Sequence, residues 1–422
     1  MLSKARPTAT ARAYALNRHG ESRARLTLIF LALMLFTMPI GVRAANAPQF
    51  EPTSAWVTFD SNGHVAGGAT GLADRSATRQ LTVHDPVRVA SVSKLVVAIG
   101  VMRLVEQRRL DLDKDVSRWL GWRLRNPAYR HRVITLRMLL SHRSGLVDQA
   151  DGPPMNGEQS LKRFISNQAN FDQNHLPGTF FQYANLNYVL VGAVMEGATG
   201  ERFDLLMKRL VMRPLGVDAC FGWQTCSSKA LAAGVTLYGS DGRVRADEPS
   251  RRGTTCVGEQ LPNQCVTEPY MLRSDTARFG PQGSLRISMT DLAKIGQVFL
   301  NDGSSGSKRF LTKTSVDTLI RPAWKFSGNN GNTSNEFFCT YGLGIQLIPS
   351  RAKGCKDHLF SNGRSAIGHP GEAYGLLSGL WIDRRVGKGI AYFSANESGE
   401  RTLASSSSFY TVERILAANL PN

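Results

Sequence analysis

The sequence lacks several signals that would place it in common protein classes. It has no long low-complexity tract, and its basic residues do not form the dense patch with interleaved aromatic residues that a nucleic-acid-binding surface needs. It has no C-x-x-C pair and no histidines at ligand spacing, so no metal site is expected. A G-x-S-x-G elbow is also absent, which excludes the α/β-hydrolase pattern. We therefore expect a globular chain with no metal, no other cofactor and no nucleic-acid partner.

The first 44 residues differ from the rest of the 422-residue chain. Basic residues from Lys4 to Arg25 precede an apolar run over 26–41, and 42–44 offer a small-residue cleavage site. This pattern predicts a signal peptide, and therefore an exported protein that is periplasmic or secreted. The alternative is an uncleaved membrane anchor over 26–42, because this length is close to that of a spanning helix. The leader also carries part of the formal net charge of +18, and we attribute the remaining excess to solubility more readily than to an anionic partner.

The six cysteines fall into pairs that are close in sequence, which in an exported chain indicates disulfide bonds. Six cysteines allow fifteen connectivities, and sequence alone leaves them open. We favour the local pairing because it closes short loops and requires least of the fold. The expected bridges are Cys220–Cys226, Cys256–Cys265 and Cys339–Cys355.

The predicted strands lie near the two ends of the chain and the predicted helices between them. Asn62–Gly63 separates two strand-like runs, 55–60 and 64–71, and predicts a hairpin. Further strands are expected at 343–348, 375–383 and 389–394. Helices are expected at 91–107, 136–141 with a Thr135 cap, 186–199, 203–212 ending at Pro214, 290–301 with a Thr290 cap, and 410–420. This order predicts an α+β fold with a sheet built from N- and C-terminal segments, flanked by helices, and a mainly helical insert.

Ser91 and Lys94 stand at the start of the most apolar predicted helix. Residues three apart share a helix face, so the serine hydroxyl and the lysine amine should lie together. Serine becomes nucleophilic when a neighbouring base takes its proton, and burial can lower the pKa of a lysine enough for that role. The alternative is a serine that only caps the helix. Two further Ser-x-x-Lys matches, Ser305/Lys308 and Ser350/Lys353, show that the tetrapeptide alone is weak evidence.

Five motifs in order along the chain resemble the serine β-lactamase and penicillin-binding protein family, in its class C β-lactamase, DD-peptidase and family VIII esterase branch. They are Ser91-Val-Ser-Lys94, the stretch 134–146, Pro177 to Asn185 with Asn187-Tyr188, Tyr341-Gly-Leu-Gly344 and Gly368-His369-Pro370-Gly371. The resemblance implies one catalytic domain over 45–422, with its sheet part at about 50–94 and 340–422 and its helical insert at about 95–339.

The same resemblance implies the roles of individual residues. Ser91 would attack the substrate carbonyl, and Lys94 and Tyr183 would share the proton transfers. A tyrosine, whose ordinary pKa is about 10, can act as a base only if a cation stabilises its phenolate. Asn185 would orient Lys94 and donate to the substrate. The third motif, His369 to Gly371, would border the site, with the backbone N–H groups of Ser91 and Glu372 as the oxyanion hole.

Two departures from the family pattern bear on the substrate. Typical class C β-lactamases have lysine where this chain has His369 and threonine where it has Pro370. Both changes weaken recognition of a substrate carboxylate, so we expect an exported serine hydrolase, an esterase or amidase, acting on a neutral small molecule or peptide. The alternatives are a DD-carboxypeptidase or penicillin-binding protein acting on peptidoglycan, a β-lactamase, and a catalytically silent binding module. Membrane contact is expected only if the leader stays uncleaved.

Overall fold

A computed structural model describes residues 52–149, 160–239, 242–245, 270–395, 402–403 and 405–421. The leader over 1–44 and the predicted Cys256–Cys265 bridge lie outside these residues, as does much of the irregular region after 217. The strands are β1 (Thr53–Asp60), β2 (Val65–Thr70), β3 (Leu72–Asp74), β4 (Arg79–Gln80), β5 (Val87–Arg88), β6 (Cys220–Phe221), β7 (Leu285–Ile287), β8 (Ser304–Ser305), β9 (Lys308–Arg309), β10 (Trp324–Lys325), β11 (Thr340–Tyr341), β12 (Gln346–Ile348), β13 (Ala366–Ala373), β14 (Leu376–Asp383) and β15 (Lys388–Ala395).

Helices occupy most of the middle of the chain. They are α1 (Ser93–Glu106), α2 (Ser117–Leu120), α3 (Leu136–Leu140), α4 (Leu161–Ile165), α5 (Leu186–Thr199), α6 (Phe203–Met207), α7 (Arg213–Leu215), α8 (Ser228–Ala232), α9 (Met289–Leu300), α10 (Lys313–Ile320) and α11 (Thr411–Ala417). Within the described residues, no helix is long and apolar enough to cross a membrane.

One eight-stranded antiparallel sheet joins the two ends of the chain, which confirms the predicted α+β fold. Its order is β10-β11-β12-β13-β14-β15-β1-β2. The predicted Asn-Gly hairpin is the β1–β2 pair, and β1 also pairs along its whole length with β15, from Thr53↔Ala395 to Asp60↔Lys388. The N-terminal hairpin therefore closes a sheet whose other strands come from the last hundred residues.

The sheet carries a hydrophobic layer on each face, because successive side chains of a strand point to opposite sides. On one face Phe59, Ala391 and Phe393 join the large core that includes α1, α5 and α9. On the other face Ile390 and Tyr392 join a smaller core closed by α11. Burial of each large apolar side chain stabilises the fold by roughly 1.5–3 kcal/mol, so both layers hold the sheet in place.

Helix α1 is buried on nearly all sides, as its apolar composition predicts. Eleven of its fourteen residues are buried, including Lys94. Helix α5 is equally enclosed and ends at Gly200, whose φ of 73° places it in the left-handed region that favours glycine. These two helices bring Ser91, Lys94 and Asn185 to the centre of the molecule.

Three local predictions were wrong. Helix α9 is capped by Ser288, whose hydroxyl accepts from Asp291 N, because Ser288 has extended backbone whereas Thr290 already lies inside the helix. The helix that starts at Phe203 does not end at Pro214. A π-helical turn over Lys208–Met212 leads into α7, and proline is tolerated in the first turn of that helix. The strand expected over 343–348 is confined to β12, because a turn precedes it.

Two of the three expected disulfide bonds are present in the described residues. They join Cys220 to Cys226 and Cys339 to Cys355. The second bridge joins the residue before β11 to the loop that follows β12. These two pairs confirm the local connectivity.

Candidate active site

Ser91 lies in the 3-10 turn Ala90–Val92 that leads into α1. The turn is fixed on both sides: Val89 N donates to Leu285 O at 3.0 Å, and Ser93 Oγ donates to Ala90 O at 2.6 Å. Val92 is the N-cap of α1, and no side chain caps that helix. Ser91 is therefore not a capping serine, and its hydroxyl is available to another partner.

That partner is Lys94. Its Nζ donates to Ser91 Oγ at 2.9 Å, to Asn185 Oδ1 at 2.9 Å and to the Gln282 carbonyl oxygen at 2.6 Å. Three acceptors in three directions hold the amine in one position. The fold thus brings together Ser91, Lys94 and Asn185, which the sequence motifs predicted. It also adds the Gln282 carbonyl, which they did not predict.

Burial changes the protonation of this amine. Complete desolvation lowers the pKa of Lys94 to about 7, while the nearby Asp148 carboxylate raises it. A substantial fraction of Lys94 is therefore neutral near physiological pH. A neutral amine 2.9 Å from a hydroxyl can accept its proton, which is the geometry required of a general base.

Asp148 organises the opposite wall of the site. Its carboxylate accepts from the backbone N–H groups of Asn185 and Leu186, at 2.7 and 2.9 Å, and from Asn185 Nδ2 at 3.0 Å. Burial raises the pKa of Asp148, although these donors act in the opposite direction. Because its Nδ2 is fixed in this way, Asn185 turns Oδ1 toward Lys94.

The Tyr183 ring lies between two other rings. The His142 ring stacks on one side with centroids 4.3 Å apart, and Phe338 stacks with centroids 4.6 Å apart at an interplanar angle of 8°. Lys94 Nζ lies 5.0 Å from the Tyr183 ring centroid. The ring planes restrict how the phenol can move, and the Lys94 amine is within cation–π distance of the ring when it is protonated.

His369 is fully buried, and both of its ring nitrogens have partners within the protein. Nδ1 lies 2.6 Å from the Pro370 carbonyl oxygen, which can only accept, so Nδ1 carries a proton. Burial, together with Lys94, lowers the pKa of His369 to about 3, so the ring is neutral and Nε2 accepts from Tyr341 OH at 2.8 Å. The ring lies beside Tyr183, with centroids 6.2 Å apart, and offers no positive charge to a substrate.

The open edge of β13 faces Ser91. Pairing with β12 reaches Gly368, and beyond it β13 lies against the turn that holds Ser91. A Cβ on Gly371 would clash with Ser378 Oγ and Val89 O and would lie 3.2 Å from Ser91 N. Pro370 lacks an N–H and fits an open edge, and alternation directs the Glu372 N–H to that same edge. The Glu372 side chain is on the other face, where Tyr410 OH donates to it at 3.5 Å.

The Tyr341-Gly-Leu-Gly344 motif supports the site from behind. Gly344 has a φ of 74°, and a Cβ there would lie 2.8 Å from Tyr188 OH and 3.0 Å from Lys94 O. Only glycine allows this approach to α1 without displacement. The motif therefore positions α1 and the Tyr341 hydroxyl that donates to His369.

Sequence reasoning missed three contributors to this arrangement. Asp148 follows the stretch 134–146 by two residues, and that proximity was the available signal. His142 lies inside the motif at 134–146, but the sequence alone indicated no role for it. Gln282 contributes a backbone carbonyl, which carries no side-chain signature. Among the described residues, no group of three or more His, Cys, Asp or Glu could hold a metal ion.

The other two Ser-x-x-Lys matches lie elsewhere. Ser305 and Lys308 face each other across the β8–β9 hairpin, where Lys308 is exposed. At Ser350 the contact that the structure shows is with a carboxylate, because its backbone N–H donates to Asp357. Of the three matches, the one at Ser91 is joined to the Lys94, Asn185 and Gln282 network.

The sequence profile of the family described as Beta-lactamase matches residues 44–406. The chain belongs to the beta-lactamase family. Among curated relatives, it is 34% identical to the esterase EstB of Burkholderia gladioli over 176 residues, which cover 36% of this chain and 42% of the esterase. It is 27% identical to penicillin-binding protein 4* of Bacillus subtilis (strain 168) over 334 residues, covering 78% of this chain and 64% of that protein.

Solved structures of other proteins share the fold of this beta-lactamase family member. The D-amino acid amidase of Ochrobactrum anthropi SV3, in complex with L-phenylalanine, matches with a TM-score of 0.60 and 20% identity, covering 87% of this chain and 93% of the amidase. At that identity the likeness establishes the α+β fold. The chain matches 42% of the length of the esterase and 64% of the length of the penicillin-binding protein.

Proposed function

We propose that this protein is an exported serine hydrolase that forms an acyl-enzyme on Ser91 and acts on a neutral ester or amide. The observation that carries the proposal is the 2.9 Å contact between Ser91 Oγ and Lys94 Nζ, with the pKa of the buried amine lowered to about 7. A capping serine or a binding module has no need of such a pair.

The proposed reaction uses the groups around Ser91 in sequence. Neutral Lys94 takes the hydroxyl proton as Oγ attacks the carbonyl, and the developing oxyanion is bound by the backbone N–H groups of Ser91 and Glu372. Tyr183 passes a proton to the leaving group, which departs as an alcohol or amine. Water then attacks the acyl carbon and gives one proton to the Tyr183 phenolate. The bond from the acyl carbon to Ser91 Oγ breaks, Lys94 returns its proton to Oγ, and the acid is released.

The preference for a neutral substrate rests on His369 and Pro370. Recognition of a carboxylate needs a cation or a hydroxyl at these positions, whereas the His369 ring is uncharged and hydrogen bonded on both sides. The names of two relatives, an esterase and a D-amino acid amidase, point to the same ester and amide chemistry.

Peptidoglycan hydrolysis is the second candidate, because a penicillin-binding protein matches over most of this chain. A DD-carboxypeptidase would accept a peptide ending in D-Ala-D-Ala and would retain penicillin as a long-lived adduct. A β-lactamase would consume penicillin instead. These outcomes separate the alternatives in one experiment.

The test combines intact-mass measurement with turnover of a neutral p-nitrophenyl ester, a D-amino acid amide and a D-Ala-D-Ala peptide. We expect ester or amide turnover, and no lasting penicillin adduct. Ser91→Ala should abolish turnover with an almost unchanged melting temperature, whereas Ser305→Ala, in the same tetrapeptide at a surface hairpin, should behave as the wild type. Full ester turnover by Ser91→Ala would refute the mechanism, and a persistent penicillin adduct on Ser91 would favour peptidoglycan.

Export is proposed from the leader pattern and is supported by the two disulfide bonds. The mass of the protein recovered from its producing cell, compared with that of the full chain, tests cleavage near 42–44. Recovery from the cytoplasm with free thiols would contradict export.

A further inference from the structure

The stretch between α1 and Asp148 has an unusual charge composition. Residues 116–147 contain seven arginines and no aspartate or glutamate. Taken along the whole sequence, basic residues looked scattered. The fold brings the start of this stretch, around α2, beside the basic residues at the end of α1.

Seven basic side chains of this region are exposed: Arg108, Arg109, Lys114, Arg118, Arg123, Arg130 and Arg132. None of them forms an ion pair with another described residue. Arg109, Arg123, Arg130 and Arg132 donate to backbone carbonyl oxygens, which orient a guanidinium without neutralising it. Of the nearby acids, Asp113 pairs with Arg137 and Asp115 with Arg125, which leaves Asp111 as the exposed carboxylate beside the basic side chains. Positive charge is therefore in excess in this region.

Several of these side chains are neighbours in space near α2. An open cleft of about 480 Å³ is lined by Arg108, Arg109 and Arg118 with Trp119, and also by Asp111 and the Asp113–Arg137 ion pair. After α2, Arg123 donates to the Arg130 carbonyl oxygen, which holds these two residues together. On the other side of α2, Arg273 donates to Leu120 O at 3.4 Å.

Apolar side chains interrupt this positive surface. Met271 and Leu272, which precede Arg273, are 54% and 36% exposed. Trp119 in α2 and Trp122 just after it are half-buried, and the Arg118 guanidinium carbon lies 5.3 Å from the centre of the Trp119 ring. Arginine and tryptophan together suit a boundary between water and an apolar medium, because each has an apolar body and a polar end. We call the seven basic side chains with Trp119, Trp122, Met271 and Leu272 the basic face.

We propose that the basic face docks on the phosphate headgroups of an anionic lipid bilayer. Guanidinium groups bind phosphate oxygens in pairs, and each basic residue near an anionic membrane contributes to binding. The exposed methionine and leucine select a bilayer over a polyanion in solution, because they can enter the acyl boundary whereas a dissolved polymer gives them no apolar medium. Docking would bring the chain to a membrane even after cleavage of its leader, which differs from the expectation drawn from sequence.

The test measures binding of the purified protein to sedimenting vesicles of phosphatidylcholine, with and without phosphatidylglycerol, at about 0.15 M salt. Arg118→Glu, Arg123→Glu and Arg130→Glu are combined in one variant, and Met271→Ser and Leu272→Ser in a second. Matched controls are Lys308→Glu with Arg309→Glu in the exposed β9 hairpin, and Ile415→Ser on α11, where Ile415 is 63% exposed. Hydrogen exchange of all forms with vesicles shows which segment is covered, so any contribution of the leader is seen separately.

We expect binding to the anionic vesicles only, with exchange protection over 108–132 and around 271–273. At roughly fivefold per charge removed, the triple arginine variant should bind at least about 100-fold more weakly, the Met271/Leu272 variant should bind several-fold more weakly, and neither control should change. Equal binding by the arginine variant, or protection confined to other segments, would overturn the proposal. Binding that a soluble DNA duplex or polyphosphate reproduces at equal strength, and that ignores Met271 and Leu272, would also overturn it, in favour of a dissolved polyanion.

Discussion

Replacement of Gly371 by alanine should disable the site without removing any of its functional groups. The new Cβ would clash with Ser378 Oγ and with the Val89 carbonyl oxygen, and would lie 3.2 Å from Ser91 N. The serine hydroxyl can rotate, but Val89 O is backbone and is already held by Ser378 Oγ at 2.8 Å. The strand or the turn that holds Ser91 must therefore move by a few tenths of an ångström or more.

Such a movement acts on the proposed oxyanion hole, because the Ser91 and Glu372 N–H groups lie on the two segments that are pushed apart. Loss of one oxyanion donor costs about 10²- to 10³-fold in kcat, or about 2.7–4 kcal/mol. We expect Gly371→Ala to lose this much turnover of a neutral ester, and overpacking to destabilise the fold by about 1–3 kcal/mol. The assay is steady-state ester hydrolysis, with a thermal melt of each variant to confirm that it is folded.

Gly283→Ala is the matched control, since its Cβ would approach the same turn at an ordinary contact distance of 3.7 Å from the Ala90 carbonyl carbon. It should keep turnover close to that of the wild type. Adding Ser378→Ala to Gly371→Ala relieves the hydroxyl clash but not the backbone clash, so little activity should return. A folded Gly371→Ala enzyme with wild-type turnover would refute the assignment of this strand edge to the oxyanion hole.

Three further predictions concern the proton-transfer groups and their support. Because the neutral amine is the base, kcat/KM should rise with pH through about 7, the pKa of Lys94, and a flat pH profile would contradict this role. The Asp148 carboxylate raises that pKa, so Asp148→Asn should move the rise to lower pH, whereas an unchanged midpoint would dissociate the two groups. Phe338→Leu removes a stacking partner of Tyr183 worth about 0.5–1.5 kcal/mol and should lower kcat by about 2- to 10-fold. Its control is Phe409→Leu, in the core behind the sheet. Equal losses of kcat in both variants would indicate a general packing effect.

Much of the fold follows from local sequence patterns. The Asn62–Gly63 hairpin and the two buried helices were predicted because turn chemistry and apolar composition are local properties. The cap of α9 was not, because Ser288 and Thr290 are both good capping residues and the choice depends on where the preceding chain arrives. Pro214 likewise permits either a stop or a new helical start.

The candidate site divides in the same way. Ser91, Lys94, Tyr183 and Asn185 were found from motif order, and the structure places them together. The Gln282 carbonyl could not be found, because any residue can supply one and only tertiary structure decides which. The neutral state of His369 also depends on burial and on Tyr341, twenty-eight residues away, and no local pattern reports that pairing.

The position of β1 in the sheet has a consequence for biosynthesis. Of its two neighbours, β2 follows it at once along the chain, but β15 is synthesised more than 300 residues after β1, which spans Thr53–Asp60 whereas β15 spans Lys388–Ala395. Until then the apolar surfaces of α1 and α9 lack the sheet that covers them, and pairing between such distant segments forms slowly. A growing chain would therefore leave these surfaces uncovered until β15 has been made, and truncation before β15 should be incompatible with a stable product.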